Sequence, residues 1–279
     1  MTTISTTKTS TTTPDFNLIK QRQQATWSSG NYANVGSRLQ IIGELLAEAV
    51  DIRAGEKVID VAAGNGNATL AAARRFAQVT STDYVSSLLE KGAMRASANE
   101  FDIQFRVADA ENLPFDNNEF DVALSTFGVM FTPQQDKAAS ELLRIICSGG
   151  RIGLANWTPE GFLGDLFRLI GRYTPPPAGL QSPMLWGNES RIVEHFGESA
   201  SNIQCTRRHY NFRFLSAAHW IDVFRNYYGP VHKVYAALDS DRQERLTSDL
   251  TELLEKHNIG GNTSLVVPSE YLEIVITKK

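Results

Sequence analysis

The sequence predicts an α/β fold: a doubly wound, mostly parallel sheet of seven strands, with an antiparallel edge strand and helical insertions. Three observations carry this prediction. Five short β-branched runs alternate with helical patterns over residues 57–156. A Gly64-Asn65-Gly66 turn joins the first run to the first helix of the series. Two later alternating runs, 207–214 and 271–277, follow a change of rhythm after Asn156. Strand–helix alternation with short connections indicates a parallel sheet covered on both faces.

Each element has its own signal. Over residues 37–50, Leu39, Ile42, Leu45, Leu46 and Ala49 recur at helical spacing. Residues 57–61 form a strand that runs into the glycine turn, and an alanine-rich helix follows over 67–76. A strand over 78–82 ends at Asp83, and 86–98 is helical. Strands over 101–107 and 120–125 come next, then a helix over 137–146. Gly149-Gly150 turns the chain into a fifth strand, 151–156. Residues 157–203 and 215–265 are mainly helical, with breaks at Pro175-Pro176-Pro177 and Gly229-Pro230. The two late strands are expected to pair antiparallel at the sheet's edge, and the two insertions to form a lid over the strand ends. The organisation expected is a tail over 1–14, then one domain over 15–279 whose core spans 37–156.

Bulk properties narrow the function. A chain of 279 residues with 42% hydrophobic content can bury roughly three quarters of its unfolded surface. The net charge of −4 and the lack of a basic cluster argue against nucleic acid as a partner. No apolar run approaches the ~20 residues of a membrane span. The Thr- and Ser-rich residues 1–14 lack the apolar stretch of a secretory signal and are read as a disordered tail. The two cysteines, Cys147 in a predicted helix and Cys205 in a predicted strand, form no C-x-x-C pair. They suit a reducing compartment, so a cytoplasmic protein is expected.

The residues with chemical potential sit at strand ends, where ligands bind in such sheets. Asp60, Ala62, Gly64 and Gly66 form the first group. Glycines let the backbone approach a ligand, and the following helix N-terminus offers unpaired N–H groups. A dinucleotide fingerprint would need a third glycine where Thr69 stands. A purely structural turn is the alternative for this loop. Asp83, at the end of the second strand, can accept both hydroxyls of a ribose; a helix cap explains it equally well. Asp109 and Ala110 follow the third strand, and Thr126 and Phe127 the fourth.

Taken in series, these motifs are specific. Asp60-x-x-x-Gly64-x-Gly66, Asp83, Ala108-Asp109-Ala110-Glu111-x-Leu113-Pro114-Phe115 and Phe120-Asp121 resemble the Rossmann-like class I S-adenosylmethionine-dependent methyltransferases. The nearest subgroup resembles the ubiquinone/menaquinone C-methyltransferases, the type 11 group. The resemblance spans roughly residues 27–157. The aromatics clustered in the two insertions, Trp157, Phe162, Phe167, Tyr173, Trp186, Trp220, Phe224, Tyr227 and Tyr228, read as helical core, as walls of an apolar acceptor pocket, or as both, so a small, partly apolar methyl acceptor is expected. The resemblance implies S-adenosyl-L-methionine as cofactor. It implies that Asp60, Ala62 and Gly64 lie along the methionine half, and that Asp83 holds the ribose. Tyr84 would then flank the adenine, with Asp109 and Ala110 at its edge, and Thr126 and Phe127 near the methyl group. Asn65 departs from the small residue usual between the glycines.

Two further features remain open on sequence alone. Trp27 and Tyr32, in an aromatic, turn-rich segment before the first helix, could cover the cofactor or simply anchor the N-terminal segment. The candidates for a base are His195, His209, His219 and Glu111. Asp109, Asp136 and His209 have no metal-ligand spacing, and no metal is expected. A non-catalytic binder of the same ligand and a nicotinamide oxidoreductase are the competing functions.

Overall fold

A computed structural model of the chain describes residues 14–279. The tail predicted over 1–14 therefore lies outside the described residues, save Pro14.

The chain begins with α1 (Phe16–Trp27), α2 (Tyr32–Gly36), a 3-10 turn (Ser37–Leu39) and α3 (Gln40–Ala49). The core then runs β1 (Lys57–Val61), α4 (Asn67–Ala73), β2 (Gln78–Asp83), α5 (Ser86–Ala98), β3 (Ile103–Val107), β4 (Phe120–Thr126), α6 (Gln135–Ile145) and β5 (Ile146–Trp157). Beyond it come α7 (Phe162–Tyr173), α8 (Glu189–Phe196), β6 (Ala200–Phe214), α9 (Ala217–Tyr227), α10 (Gly229–Ala236), α11 (Ser240–His257) and β7 (Leu265–Lys278).

One seven-stranded sheet has the order β3-β2-β1-β4-β5-β7-β6. The first five strands pair in parallel. β7 runs antiparallel between β5 and the edge strand β6. The chain travels outward from β1 to β3, then returns to β4 on β1's other side. That reversal opens a crevice beyond the carboxyl ends of β1 and β4. Val58, Ile59, Val122, Ala123 and Leu124 in these two strands are fully buried. Their continuous apolar run is what a strand covered on both faces requires.

Three local outcomes differ from the sequence reading. β5 starts at Ile146 because residues 147–150 form a bulge: Phe120 pairs with Ile146, but Val122 pairs with Arg151. Cys147 thus lies in a strand, where a helix was expected. β6 and β7 extend well beyond 207–214 and 271–277, because their ladder continues through polar stretches and through Pro268, paired with Asn211. α1 was not anticipated at all. Its sequence, FNLIKQRQQATW, buries only Ile19 fully, so no apolar stripe announces it. Asp15 caps it by accepting from the Leu18 N–H at 3.0 Å.

Among the described residues, no helix is long and apolar enough to cross a membrane.

Candidate active site

The ends of β1, β2 and β4, the 108–110 loop and helix α1 enclose a cleft of about 880 Å3 of empty volume, its open mouth included. Two of its residues hold a left-handed backbone although they carry side chains: Ala62 at φ 54° and Phe127 at φ 55°. Such conformations cost on the order of 1–3 kcal/mol and mark functional loops. They follow β1 and β4, the two strands at the switch point.

Asp83 is the electrostatic centre of this cleft. Its Oδ2 accepts from the Gly64 N–H at 2.9 Å, and its Oδ1 from the Val85 N–H at 2.8 Å. The second bond closes a turn before α5, whose N-cap is Val85 with no side-chain cap bond, so Asp83 is not the helix cap the sequence also allowed; the residue lines the cleft. Burial pushes its carboxyl up to about 6, against the pull of those N–H donors. Asp60 sits deeper and lines no cavity. Its Oδ2 accepts from the Thr69 N–H at 2.8 Å and Oγ1 at 2.6 Å, while Oδ1 has no partner. Burial pushes this carboxyl up to about 7. Asp60 thus anchors the start of α4. Thr69, which replaces a third glycine, is the residue it anchors. Gly66 caps α4 at φ 83° and likewise stays out of the cleft lining.

Helix α1 forms the front wall. Lys20, Gln23 and Trp27 face the cleft. The Lys20 ammonium lies 2.6 Å from Asp109 Oδ2 and 2.6 Å from Glu111 Oε2. Burial alone would lower Lys20, but these two carboxylates hold it above its ordinary value. Gln24 donates to the Tyr84 carbonyl at 2.6 Å. The loop after α1 is wedged against α9 and α10: Asn31 N–H donates to the Tyr227 carbonyl at 3.2 Å. Gly229 abuts the Thr26 carbonyl so closely that a Cβ would lie 2.4 Å from it.

A second, narrow cavity adjoins the first, with about 320 Å3 of empty volume when the open solvent at its mouth is included. Trp27, Tyr32, Leu39, Phe127 and Phe131 line both. Trp157, Leu163, Phe212, Phe224, Tyr228 and Val35 complete it. Phe127 stacks on Trp157 with ring centres 3.8 Å apart and planes 2° apart. Trp27 meets Tyr32, Phe131 and Tyr228 edge-on at 5.0–5.7 Å. Such pairs fix ring positions beyond simple area burial.

Of the residues singled out from sequence, Trp27, Tyr32, Ala62, Gly64, Asp83, Tyr84, Asp109, Ala110, Thr126 and Phe127 come together around the cleft. The candidate bases do not. Glu111 is buried beneath it, bonded to Lys20 and to the Gln134 N–H. His195 packs against Trp186 on α8, beside Asp136 of α6. His209 is exposed on edge strand β6 near Glu270. His219 accepts from the Leu215 N–H at the start of α9. Asp109, Asp136 and His209 therefore lie in three separate places. His209→Ala and His219→Ala should each leave turnover within about twofold, as for ordinary surface substitutions; steady-state kinetics checks this.

Lys20, Gln23, Leu39, Asn65, Phe131 and Phe212 were missed from sequence. Only Asn65 had a visible signal, its place between two glycines. Between residues 164 and 211 no side chain lines either cavity. α8 packs on α6 and β6 instead, so most of the first insertion does not cover the site.

The chain's relatives agree with this geometry. Residues 59–154 match a family model described as a methyltransferase domain. Uncharacterized protein Rv1403c of Mycobacterium tuberculosis is 38% identical over 252 residues, covering 88% of this chain and 90% of its own. A demethylmenaquinone methyltransferase of Clavibacter sepedonicus is 36% identical over 105 residues, 38% of this chain and 42% of that one. The YcgJ protein from Bacillus subtilis, a crystal structure, superposes with a TM-score of 0.58 at 18% identity, covering 84% of this chain and 97% of its own. With the strand order, the glycine loop and the acidic residues at successive strand ends, these place the chain in the class I S-adenosylmethionine-dependent methyltransferases, type 11 group.

Proposed function

We propose that the chain methylates a small, partly apolar molecule, with S-adenosylmethionine in the cleft and the acceptor in the aromatic cavity. The observation that carries this reading is the wall the two cavities share, made of Trp27, Tyr32, Leu39, Phe127 and Phe131. A methyl group handed across that boundary leaves a cleft with Asp83 and Asp109 in its lining and enters a cavity with no carboxylate.

The residues present fit the cofactor. Two cleft-lining side chains carry buried polar atoms without a protein partner, Asn65 Nδ2 and Gln23 Oε1. A donor beside the glycine loop suits the carboxylate of an amino acid. Asp83 would hold the ribose, Tyr84 the face of the adenine, and Asp109 with Ala110 its edge. Asp60, Ala62 and Gly64 shape the methionine end, Asp60 from below through Thr69. S-adenosylmethionine supplies a methyl carbon activated by a positive sulfur. The protein's part is to exclude water and align the acceptor, an effect worth roughly 7–11 kcal/mol when alignment is good. Trp157 and Leu163 from one insertion, with Phe224 and Tyr228 from the other, act as the lid over the acceptor.

Leu163 separates acceptor from cofactor, because it lines the second cavity alone. Leu163→Trp should cut acceptor kcat/KM by about tenfold or more through overfilling, with cofactor affinity within about twofold. Transfer of tritiated methyl from S-adenosylmethionine into fractionated small metabolites, with calorimetry of cofactor binding, tests both halves. Transfer to macromolecules alone, or equal loss of cofactor affinity in Leu163→Trp, would overturn the assignment of the cavity.

The two buried carboxyls predict a pH dependence. Folding raises Asp83 to about 6 and Asp60 to about 7 from ordinary values near 3.8. Between about pH 4 and 7 the folded chain thus binds more protons than the unfolded one, and this contribution to stability falls as pH rises. Thermal unfolding at pH 5 and pH 8 should show a smaller loss for Asp60→Asn than for wild type. A cationic cofactor favours the ionised form of Asp83, so its affinity should rise by up to about tenfold per pH unit approaching pH 6, then level off.

A further inference from the structure

We propose that Arg95 is a positioning residue for the glycine loop: from behind the cleft it holds the loop's backbone and supplies the positive charge that favours the carboxylate of the cofactor's amino-acid end. The inference rests on the proposed function above and assigns a specificity determinant of that same site.

The cleft lining carries three charged residues, Asp83, Asp109 and Lys20. Lys20 is spent on Asp109 and Glu111, at 2.6 Å from each. Among the described residues, the lining therefore offers an incoming carboxylate no unpaired cation, only the donor Asn65 Nδ2 beside the loop. Arg95 stands one layer farther out, half-buried on α5, and lines neither cavity. Its Nη1 donates to the Asn65 carbonyl at 2.7 Å and to Asn67 Oδ1 at 2.9 Å. Its Nη2 donates to Gln40 Oε1 at 3.1 Å. All three acceptors are neutral.

Arginine keeps its charge at every working pH. Burial, then repulsion by Arg74, holds the Arg95 guanidinium below its ordinary value, as for a cation that no carboxylate offsets. The loop is thus turned two ways: the Asn65 side chain lines the cleft, while its carbonyl meets the guanidinium behind. Gly92 lies one turn before Arg95 on the same face of α5. A Cβ there would sit 3.6 Å from the Asn65 carbonyl carbon, so helix and loop are in contact. The charge acts across packed protein, where it is screened less than in water. Asn67 extends the anchor: its Nδ2 donates to the Gly36 carbonyl at 2.7 Å, tying Arg95 and the loop to the end of α2.

A merely structural anchor would hold the loop alike for every ligand. A charge distinguishes ligands by their own charge. S-adenosylhomocysteine and its decarboxylated analogue differ in the carboxylate alone, since both keep the adenosine, the sulfur and the amino group.

The test is calorimetry of these two ligands on the full chain, in wild type, Gln40→Glu and Arg95→Gln. Gln40 is exposed at the start of α3 and lines neither cavity. Gln40→Glu keeps its shape and turns the third bond of Arg95 into an ion pair. It offsets the cation yet strengthens the anchor, and a carboxylate suits a helix start, so the fold and its thermal midpoint should hold. S-adenosylhomocysteine should then bind about threefold more weakly, and the decarboxylated analogue with unchanged affinity. Arg95→Gln should cost S-adenosylhomocysteine about tenfold and the analogue no more than about threefold. A structural anchor gives the opposite signature in Gln40→Glu, equal or tighter binding of both ligands. That result, or matching losses for both ligands in Arg95→Gln, overturns the proposal and leaves methyl transfer standing. Should Arg95→Gln lose its cooperative melt, Gln40→Glu decides alone. Failure of S-adenosylhomocysteine to bind the wild type overturns the underlying reading, and this one with it.

Discussion

Gly64→Val is expected to abolish detectable S-adenosylmethionine binding in a chain that still folds. Gly64 holds φ 57°, a region that a β-branched residue enters at a cost of on the order of 1–3 kcal/mol. Its N–H is bonded to Asp83, so the loop cannot relax without releasing that carboxylate. The valine methyls would also advance on the Tyr32 ring, already 3.4 Å from an added Cβ, and overfilling adds about 1–3 kcal/mol. Together these amount to about 2–6 kcal/mol, a loss of about thirtyfold or more on the scale of about 1.4 kcal/mol per tenfold. The buried apolar strands lie elsewhere, so a cooperative melt should persist. Calorimetry and circular dichroism on one preparation check both halves; normal binding would reduce the loop to a structural turn.

Asp83→Ala should weaken the cofactor by about 1.5–3 kcal/mol for each charge-assisted bond it loses, or at least about tenfold. The variant also unpairs the N–H groups of Gly64 and Val85, which loosens both the glycine loop and the start of α5. Asp83→Asn keeps one acceptor oxygen and should fall between alanine and wild type. Equal affinity in all three proteins would remove Asp83 from the site.

The parallel core was legible because its signals are local. Lys57-Val-Ile-Asp-Val61 and the glycine turn declare a strand and a helix start within ten residues, and both were placed correctly. The acidic residues at the ends of β1 and β2 and after β3 were readable for the same reason, since each lies within two residues of a strand's carboxyl end. What escaped depends on tertiary contact. α1 is polar on almost every face and is held by Lys20, Gln24 and the wedge beneath α10, none of which leaves a periodic trace. The aromatic residues of the insertions were visible, but their division was not. Trp186 and Trp220 are fully buried core, whereas Trp157, Phe224 and Tyr228 face the cavity. Composition cannot separate these sets, because both are large, apolar and helically spaced or strand-borne. The histidines drew notice as bases because they are rare and polar, and His195, His209 and His219 line neither cavity.

The seating of the 26–31 segment on residues 226–229 has a consequence for how the molecule is made. The front wall of the cleft, at residues 16–27, is synthesised well before residues 226–229, on which the segment after it rests. Domains fold progressively from the N-terminus as they emerge. During that interval the Rossmann-like core can form while α1 is held only by Lys20 and Gln24. A nascent chain halted before residue 226 would therefore present a loosely walled cleft, and firm retention of S-adenosylmethionine would report synthesis past residue 229.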